Sequence, residues 1–525
     1  MDKDNETYSS IDGYLLSKGK ETLMIFPPGK ANDKFTLLPP SITTIGDYAF
    51  YDCKKLKNVT IPNKVTSIGK RAFGLCSNLN TITFLCDQII NPSNIKQEED
   101  EESFDDDKTS QKRFSNIHIN VRSNKFSEYQ GNSFYKRFAS IKPSFNYQNA
   151  EYIAVSDQAV YMLSTNHDVQ TFVLPTQIVH GSKNYDVSAI GDYAFENASS
   201  NIKEVVVKKN VTYIGAKAFV KKNNPLESVF FIESNPTKQM LGTTRFELDA
   251  TKKNYNEFDP ATKIYVKKSA YEKYKKEWTK TVYNASKHKE EPSQFNFTDQ
   301  IEYKIKDVQI SNRYTTFARE FDVDFSDCTR FGGMNVAAFV SGQIKTGSGD
   351  HGEATAHHVR MKSIDLNGGV SDSYGYIPAN TGVLLKLFNN SGTSSGNLYY
   401  TIGEKDNVIY SISNNIMTGV RVKSRLVNAS PSAPIYVLQG GVFRKAINNI
   451  PNFPAHKAYL TLPSGMAPAK ELILSFDDDE TTDIESVTTD EETKDNDVYY
   501  NLNGQRVSNP QKGIYIHNGK KVIIK

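Results

Sequence analysis

A six-residue phrase, Ile-Gly-x-x-Ala-Phe, occurs four times in the chain and constrains its fold more than any other feature. The copies begin at Ile45, Ile68, Ile190 and Ile214. The two copies of each pair lie 23 and 24 residues apart, counted from 45 to 68 and from 190 to 214. A regular period of this length indicates a solenoid, in which each repeat is one small structural unit stacked on the next.

Each hexamer is followed by a turn and a short strand of alternating apolar residues. In the first copy the alternation places Val59 and Ile61 on one face of the strand and Thr60 on the other. The same pattern begins at Leu56, Leu79, Ile202 and Leu226. Because stacked strands bury their apolar faces and bond to one another, we expect each pair of repeats to form a short solenoid.

The repeat resembles the BspA-type leucine-rich repeat of bacterial surface proteins, since all four hexamers are followed closely by such a strand. The resemblance implies a solenoid fold and a role in binding. The general leucine-rich pattern has an Asn after the strand, but Lys64 stands at that offset in the first repeat. An Asn ladder is therefore not expected.

A similar segment follows each pair of repeats. A strand leads into a stretch with aromatic anchors, which include Tyr129 and Tyr135 after the first pair and Tyr274 and Trp278 after the second. These segments resemble the caps that close this repeat family, and a solenoid needs a cap over its last rung. We therefore predict two duplicated modules of repeats and cap, at residues 1–145 and 148–290.

The chain changes character after the second cap. Short alternating apolar runs separated by Gly, Asn, Ser and Pro predict an antiparallel β sandwich or barrel over 295–476. Residues 477–497 are acidic and rich in Thr and Ser, which predicts a linker. Two Asn-Gly turns predict a small β segment over 498–525. The expected fold class is mostly β with short helices: two short capped leucine-rich-repeat solenoid modules, a sandwich or barrel region and a small C-terminal β segment.

The two ends of the sequence bear on location. Residues 1–6 contain no apolar run, so no signal peptide is visible, and no stretch of about 18 apolar residues predicts a membrane span. Residues 498–525 resemble the C-terminal sorting-type segments of secreted proteins from anaerobic Gram-negative bacteria, which implies export. We expect an extracellular or cell-surface protein whose signal peptide is absent from this sequence.

Four cysteines are too few and too scattered to predict a disulfide scaffold or a CxxC zinc site. Cys53 and Cys76 each lie three residues after a repeat Phe, so we expect them to stack as buried thiols, with a disulfide between rungs as the alternative. Cys86 and Cys328 each follow a predicted strand and are expected to be packed.

Two polar clusters have residue types that bind metal ions. His351, His357 and His358 lie near Glu353, and this set suits zinc. Their Gly-rich surroundings favour a polar loop instead. The acidic run 97–107 could bind calcium or a cationic partner, but it has no Gly turn and no ordered ligand spacing. It is most simply a solvated loop.

Several patterns suggest chemistry, and each has a plainer explanation. Asp322, Asp324 and Asp327 have no nucleophile beside them and favour a solvated strand face. The runs 392–396 and 347–352 match the nucleophile-elbow and dinucleotide spacings but have no helix pattern after them. Tyr274 and Trp278 could stack on a sugar, yet their spacing of four favours anchors that face a core. The sequence therefore predicts no catalytic, cofactor-binding or metal site.

The charge balance and the repeat together favour binding. With 63 basic and 60 acidic residues, nothing argues for nucleic acid or an anionic membrane as the partner. We expect a non-enzymatic protein that binds a host or extracellular-matrix protein through its repeat surfaces, with a glycan as a second kind of ligand. The alternative is a carbohydrate-binding accessory protein with its site in 295–476, which exposed coplanar aromatic rings would favour. An enzyme in the same region would need converging carboxylates or a metal held by His351, His357 and His358.

Overall fold

The structure is a computed structural model of the whole chain. The residues that it describes fall in these ranges: 5–11, 13–30, 36–95, 103–104, 114–236, 241, 256–284, 287, 289–294, 296–331, 335–346, 357–364, 376–388, 395–404, 415–420, 424–426, 434–463, 466, 469–476, 499–500, 506–507, 513–517 and 520–524.

Five parallel strands form what we call the first ladder. They are, in chain order, Thr36–Leu37, Asn58–Ile61, Thr81–Phe84, His118–Val121 and Ser140–Pro143. Val59 lies opposite Ile82, which lies opposite Ile119, and all three are fully buried. The alternating pattern of the repeats therefore gives a stack of rungs with one common core.

The hexamers form another wall of the coil, where phenylalanine rings stack from rung to rung. The strands here are Tyr8–Ile11, Tyr14–Ser17, Thr22–Ile25, Thr44–Ile45 and Ser67–Ile68. The rings of Phe50 and Phe73 stack with centroids 4.7 Å apart, and Phe26 and Phe104 extend the stack at 4.8 and 5.1 Å. Neither Phe26 nor Phe104 belongs to a complete hexamer, so the solenoid has more rungs than the hexamers identify.

The second pair of repeats builds an equivalent stack. The second ladder consists of the parallel strands Thr171–Val173, Glu204–Val207, Ser228–Phe231, Lys263–Val266 and Ile301–Glu302. Its phenylalanine stack runs through Phe195, Phe219 and Phe258, with centroids 5.6 and 5.1 Å apart. Phe258 again lies outside the hexamers.

A six-stranded sheet opens the second repeat module. Its strands are Phe145–Tyr147, Ala150–Ala154, Ala159–Thr165, Gln177–His180, Lys183–Ile190 and Tyr213–Ile214. A separate hairpin follows the second cap, with strands Thr281–Asn284 and Lys289–Pro292.

Each ladder ends in a cap with a short helix, Phe126–Gly131 in the first and Tyr271–Glu277 in the second. Tyr129 and Tyr135 are buried against Phe84 of the first ladder. Tyr274 and Trp278 are also fully buried, so they face a core and offer no platform for a sugar. Short 3-10 helices lie at Pro28–Lys30, Pro92–Asn94, Phe114–Asn116, Ser123–Lys125, Tyr135–Arg137, Lys268–Ala270 and Thr298–Gln300.

The β-rich region combines a sandwich and a barrel that share one sheet. The nine strands of this sheet, in spatial order, are Tyr314–Phe317, Val383–Phe388, Asn335–Thr346, His357–Ser363, Glu471–Phe476, Val442–Lys445, Ile435–Gln439, Lys457–Thr461 and Met417–Val420. A second sheet of Ile305–Ile310, Gly396–Ile402, Val323–Asp324 and Tyr376–Ile377 packs on it, next to the helix Ser326–Phe331. One neighbouring pair, His357–Ser363 with Glu471–Phe476, is parallel, which corrects the expectation of a wholly antiparallel region.

Alternation along the strands explains how one sheet serves two cores. Leu385 and Leu387 face the four-stranded sheet, whereas Leu384, which directly precedes Leu385, belongs to a separate core with side chains from the other strands of the nine-stranded sheet. The sheet curls back on itself, so that its eighth and first strands meet. The amide of Ala458 in the eighth strand donates to the Thr316 hydroxyl in the first, at 3.0 Å. The region is therefore barrel-like on one side and a sandwich on the other.

Two small sheets complete the described structure. Ser424–Leu426 pairs with Ile450–Phe453. Near the C-terminus, Tyr499–Tyr500, Arg506–Val507, Gly513–His517 and Lys520–Ile524 form an antiparallel sheet. The predicted linker 477–497 lies outside the described residues. Among the residues described, no helix is long and apolar enough to cross a membrane.

Candidate functional site

The outer faces of the ladders, which sequence reasoning offers as binding surfaces, are both covered by the next part of the chain. On the first ladder, the Thr83 hydroxyl and the Asn120 amide both donate to the carbonyl of Ala154, each at 2.8 Å. On the second ladder, Phe230 packs against Phe321 of the β-rich region with ring centroids 5.0 Å apart. The strand faces therefore serve internal packing, and recognition by the repeats needs another surface.

The turns inside the hexamers provide such a surface. Tyr48 is 43% exposed and Tyr193, at the equivalent place in the second module, is 38% exposed. A lysine of the next rung lies over each ring: Lys70 Nζ is 5.9 Å from the Tyr48 centroid, and Lys217 Nζ is 5.7 Å from that of Tyr193. We call these two tyrosine-lysine pairs the tyrosine turns.

The backbone at both tyrosines is left-handed, with φ of 56° at Tyr48 and 58° at Tyr193. A bulky residue in this conformation costs about 1–3 kcal/mol, a cost that Gly does not carry. Arg71 and Lys217, at the equivalent position of the other two hexamers, are also left-handed, so the repeat turn imposes the conformation. The exposed aromatic ring is what distinguishes Tyr48 and Tyr193. Exposed tyrosines are typical of residues that dominate the energy of protein interfaces.

A buried ionic cluster joins the second ladder to the β-rich region, and we call it the Arg319 cluster. Arg319 is 1% exposed. Its Nη1 donates to Glu204 Oε2 and to His456 Nε2, both at 2.7 Å, and its Nη2 donates to Asp307 Oδ2 at 3.0 Å. Its Nε donates to the Tyr400 hydroxyl at 2.7 Å, and the Thr171 hydroxyl donates to Glu204 Oε2 at 2.9 Å.

Charge and burial act together on this cluster. Burial, reinforced by the Arg319 charge, lowers the pKa of His456 to about 4, so the imidazole is neutral and accepts the Arg319 hydrogen bond. Burial alone raises the pKa of Glu204, but the charges of Arg319 and His456 and the hydrogen bonds of Arg319 and Thr171 bring it below the ordinary value. Glu204 is therefore the negative partner of a buried cation.

The ligand atoms of Glu204, Asp307 and His456 all lie within 4.8 Å of one another, as in a metal site. The Arg319 guanidinium, however, donates to all three of these residues. A metal ion would have to displace this cation and leave it buried without acceptors, which is costly. The donor set fits a guanidinium, and we assign the cluster a structural role.

A second set of contacts fastens the cap of the second ladder to the β-rich region. Lys268 Nζ pairs with Asp327, whose side chain is almost buried, and the Tyr399 hydroxyl donates to Asp327 Oδ2 at 3.1 Å. The Ser269 amide donates to Glu404 Oε1 at 2.9 Å. Asp327 thus acts as a partner in an interface and not as part of a solvated strand face.

The other aspartates predicted to lie on a solvated face also have structural partners. Asp322 accepts from the Tyr376 hydroxyl and the Ala379 amide, both at 2.7 Å, and Asp324 accepts from the Ser326 amide at 2.8 Å, at the start of a helix. They are half-buried acceptors and not solvated groups.

The predicted histidine cluster is divided by a strand. His357 and His358 begin the strand His357–Ser363, where His357 is buried and His358 exposed, so the expected loop is wrong for these two residues. Adjacent strand residues point to opposite faces, which prevents both from holding one metal ion. His351 and Glu353 lie outside the described residues, as does the acidic run 97–107 apart from Ser103 and Phe104.

The two sequence matches to catalytic motifs gain no support from the described structure. Gly396 begins the strand Gly396–Ile402, whereas a nucleophile elbow needs a helix after it. The preceding residues 392–394 and the whole run 347–352 lie outside the described residues.

The cysteines are packed as predicted. All four are buried, and none forms a disulfide. The thiols of Cys53 and Cys76 donate to the carbonyls of Phe26 and Phe50, one rung earlier, at 3.8 and 2.9 Å. They tie consecutive rungs together without a disulfide.

The fold consists of leucine-rich repeats followed by a β-rich C-terminal half. Residues 31–136 and 110–239 match the BspA type leucine rich repeat region, in six copies. Six copies exceed the four hexamers, and Phe104 lies inside the matched range 31–136, whereas the rungs at Phe26 and Phe258 lie outside both ranges.

Two solved structures are similar to parts of the chain. One is the pneumococcal vaccine antigen PcpA, at 17% identity over 53% of this chain and 46% of that chain, with a TM-score of 0.15. The other is a leucine rich cell surface protein from Faecalibacterium prausnitzii A2-165, at 15% identity over 47% of this chain and 82% of that chain, with a TM-score of 0.15. The chain thus spans less than half of the length of the pneumococcal antigen. No curated protein matches the chain.

Proposed function

We propose that this chain is a non-enzymatic extracellular or cell-surface protein that binds a host or extracellular-matrix protein through the tyrosine turns. The observation that carries the proposal is the recurrence of an exposed, left-handed tyrosine beside a lysine in both modules, at Tyr48 and Tyr193. The match to a BspA type leucine rich repeat supports a role in binding. The covered ladder faces leave the turns as the repeat surface that presents aromatic rings.

The presence of one tyrosine turn in each module suits a two-point contact. A partner with two matching sites can contact both turns at once, and the second contact then raises the overall affinity. Loss of both turns is therefore expected to weaken binding much more than loss of one.

The experiment compares variants of the full chain on immobilised fibronectin, laminin and collagen by surface plasmon resonance. We expect wild type to bind at least one of these proteins, and the double variant Tyr48→Ala with Tyr193→Ala to bind at least about tenfold more weakly. The matched control is Tyr8→Ala, since Tyr8 is also 38% exposed but lies outside the hexamers. Absence of binding to all three proteins, or equal loss in the control, would sink the proposal.

The glycan alternative in its original form needs exposed coplanar aromatic rings in 295–476. In the described part of that region the one exposed large apolar side chain is Ile447. An aromatic platform is therefore not the feature that could support sugar binding there.

A further inference from the structure

A groove of about 240 Å³ opens in the β-rich region between two hairpin turns. Ser311, Asn312 and Tyr314 of one turn line one side, and Gly440 and Gly441 of the other turn line another. Both central residues of each turn have positive φ, at 50° and 67° for Asn312 and Arg313 and 61° and 90° for the glycines. This is the conformation of tight type I′ turns, which match the twist of the strands that they join. The groove is therefore preformed by rigid elements.

The Lys457 ammonium supplies the only formal charge among the residues that line the groove. It donates to the Thr315 hydroxyl at 2.7 Å, and no carboxylate in the described part of the chain lies within 4.0 Å of it. Burial lowers the pKa of Lys457, and Asp307 opposes this from a greater distance. Since an ammonium has three donors, the Thr315 contact leaves two for water or a ligand.

A partly buried cation without a neighbouring anion is uncommon, because charges taken out of water are normally paired. This observation points to an anionic group as the ligand of Lys457. The contrast with Arg319 is direct, since Arg319 lies in the same half of the chain and has two carboxylates on its guanidinium.

The other residues that line the groove indicate the chemistry of the rest of the ligand. Tyr314 and Phe453 provide apolar ring surface, while Ser311 and Asn312 provide exposed groups that both donate and accept hydrogen bonds. Sugars match this mixture, because they have apolar C–H surfaces and hydroxyls that also donate and accept. The volume is below the roughly 300 Å³ at which sites for drug-sized ligands begin, so one sugar unit fits it best.

We propose that the groove binds a single carboxylate-bearing sugar, a hexuronic acid or a sialic acid, with its carboxylate on Lys457 Nζ. The site is separate from the tyrosine turns and does not depend on the proposed function of the repeats.

The test is ligand-observed saturation-transfer NMR on the full chain. The probes are glucuronate, galacturonate and N-acetylneuraminate, with glucose as the sugar without a carboxylate and acetate as the carboxylate without a sugar. We expect at least one acidic sugar to bind and neither control compound to do so. The acidic sugar that binds shows whether the ligand is a hexuronic acid or a sialic acid. Binding by acetate alone, by glucose equally well or by no probe would overturn the proposal.

Variants separate a specific site from nonspecific attraction. Lys457→Gln removes the charge and should weaken the acidic sugar roughly 10- to 100-fold, since a hydrogen bond to a charged group is lost. Lys457→Arg should keep most of the binding. Ser311→Trp, at an exposed rim position, should block the groove without touching Lys457.

The matched control is Lys445→Gln, a partly buried lysine of the same sheet that does not line the groove. Thermal unfolding of each variant checks that the fold persists. Unchanged sugar binding in Lys457→Gln, or an equal loss in Lys445→Gln, would contradict the assignment. Tyr48→Ala with Tyr193→Ala should bind the sugar normally, which keeps this test independent of the repeats.

Discussion

Arg319 brings together side chains that are remote in the sequence. Glu204 lies 115 residues before it and His456 lies 137 residues after it. All of these groups are largely buried, so their hydrogen bonds replace bonds to water that the folded chain cannot make. Removal of one acceptor leaves a buried cation incompletely paired, and such losses cost about 3–5 kcal/mol.

We predict that Glu204→Gln lowers the free energy of unfolding by about 3 kcal/mol, because the Arg319 charge loses its best-placed counter-charge. Urea unfolding at neutral pH measures the change. Glu227→Gln is the control, since Glu227 pairs with Lys203 at the surface, and its expected effect is less than about 1 kcal/mol. Equal effects of the two substitutions would mean that the cluster does not stabilise the fold.

His456 makes stability depend on pH in a defined direction. Its pKa is about 4 in the folded chain and 6.5 without the fold, so between these values the unfolded chain binds a proton that the folded chain does not. Protonation of His456 therefore leaves the free energy of unfolding unchanged above pH 6.5 and lowers it progressively as the pH falls towards 4.

We predict that His456→Asn reduces this loss. Asn tolerates the left-handed backbone of position 456, where φ is 59°, and does not titrate. Urea unfolding at several pH values should give a steeper fall for wild type than for the variant below pH 6.5. Carboxylates titrate in both proteins, so parallel pH profiles would show that His456 is not responsible.

The Arg319 cluster could not be predicted from the sequence. Glu204 is a single charged residue on the outer side of a repeat strand, where a solvated residue is the ordinary expectation. Its partners come from strands and loops whose approach depends on how the β-rich region packs. Sequence spacing has no information about contacts of this range, whereas the buried thiols of Cys53 and Cys76 follow directly from their places in the repeat.

At the scale of elements, the hexamer predicts the regular rungs and misses the irregular ones. Phe26 and Phe104 keep only the aromatic ring of the phrase, because stacking on Phe50 and Phe73 requires the ring and not the rest of the hexamer. Between Ile95, which bridges to Ile68, and Phe104 the chain departs from the regular rung length. A search for the hexamer therefore misses a rung that contains an insertion.

One aromatic residue, Trp278, anchors the second cap to its ladder. Trp278 is fully buried and lies 5.0 Å from Phe231 of the ladder and 4.8 Å from Tyr274, measured between ring centroids. We predict that Trp278→Ala lowers the free energy of unfolding by about 3–5 kcal/mol. Hydrogen exchange should locate the loss of protection in Lys263–Val266, the ladder strand that directly precedes the cap helix in the chain.

Tyr271→Ala provides the control for the cap, because Tyr271 lies on the same helix and is only partly buried. Its effect should be clearly smaller. If Tyr271→Ala and Trp278→Ala destabilise equally, the cap depends on helix propensity and not on the packing of the indole ring.

At the scale of the whole molecule, the mostly β fold with repeats followed by a β-rich region is confirmed, but the use of the ladder faces is not what the sequence suggests. For the second ladder, one feature of the sequence indicates that the outer face is covered. Val206 and Phe230 make their strands apolar on both faces, and such strands are typical of sheets covered on both sides. On the first ladder, Thr60 and Thr83 look like solvated residues, and nothing local reveals that they are covered.

The division of the chain at 1–145, 148–290, 295–476, 477–497 and 498–525 stays a prediction, as do export and the sorting role of the last segment. The contacts between the parts were beyond the reach of the sequence for a simple reason. A repeat pattern specifies neighbours one rung away, whereas the covering residue is 71 positions after Thr83 on the first ladder and 115 positions after Glu204 on the second.

The buried position of Arg319 has a mechanical consequence. A protein that grips a partner through its repeats while held elsewhere carries tension along its length. Where that tension crosses from the second ladder to the β-rich region, it loads the buried ion pair of Arg319 with Glu204. Bonds sheltered from water break without a solvent molecule ready to replace them. Shear resistance at this joint, more than affinity at the tyrosine turns, then sets how long the molecule survives a pull.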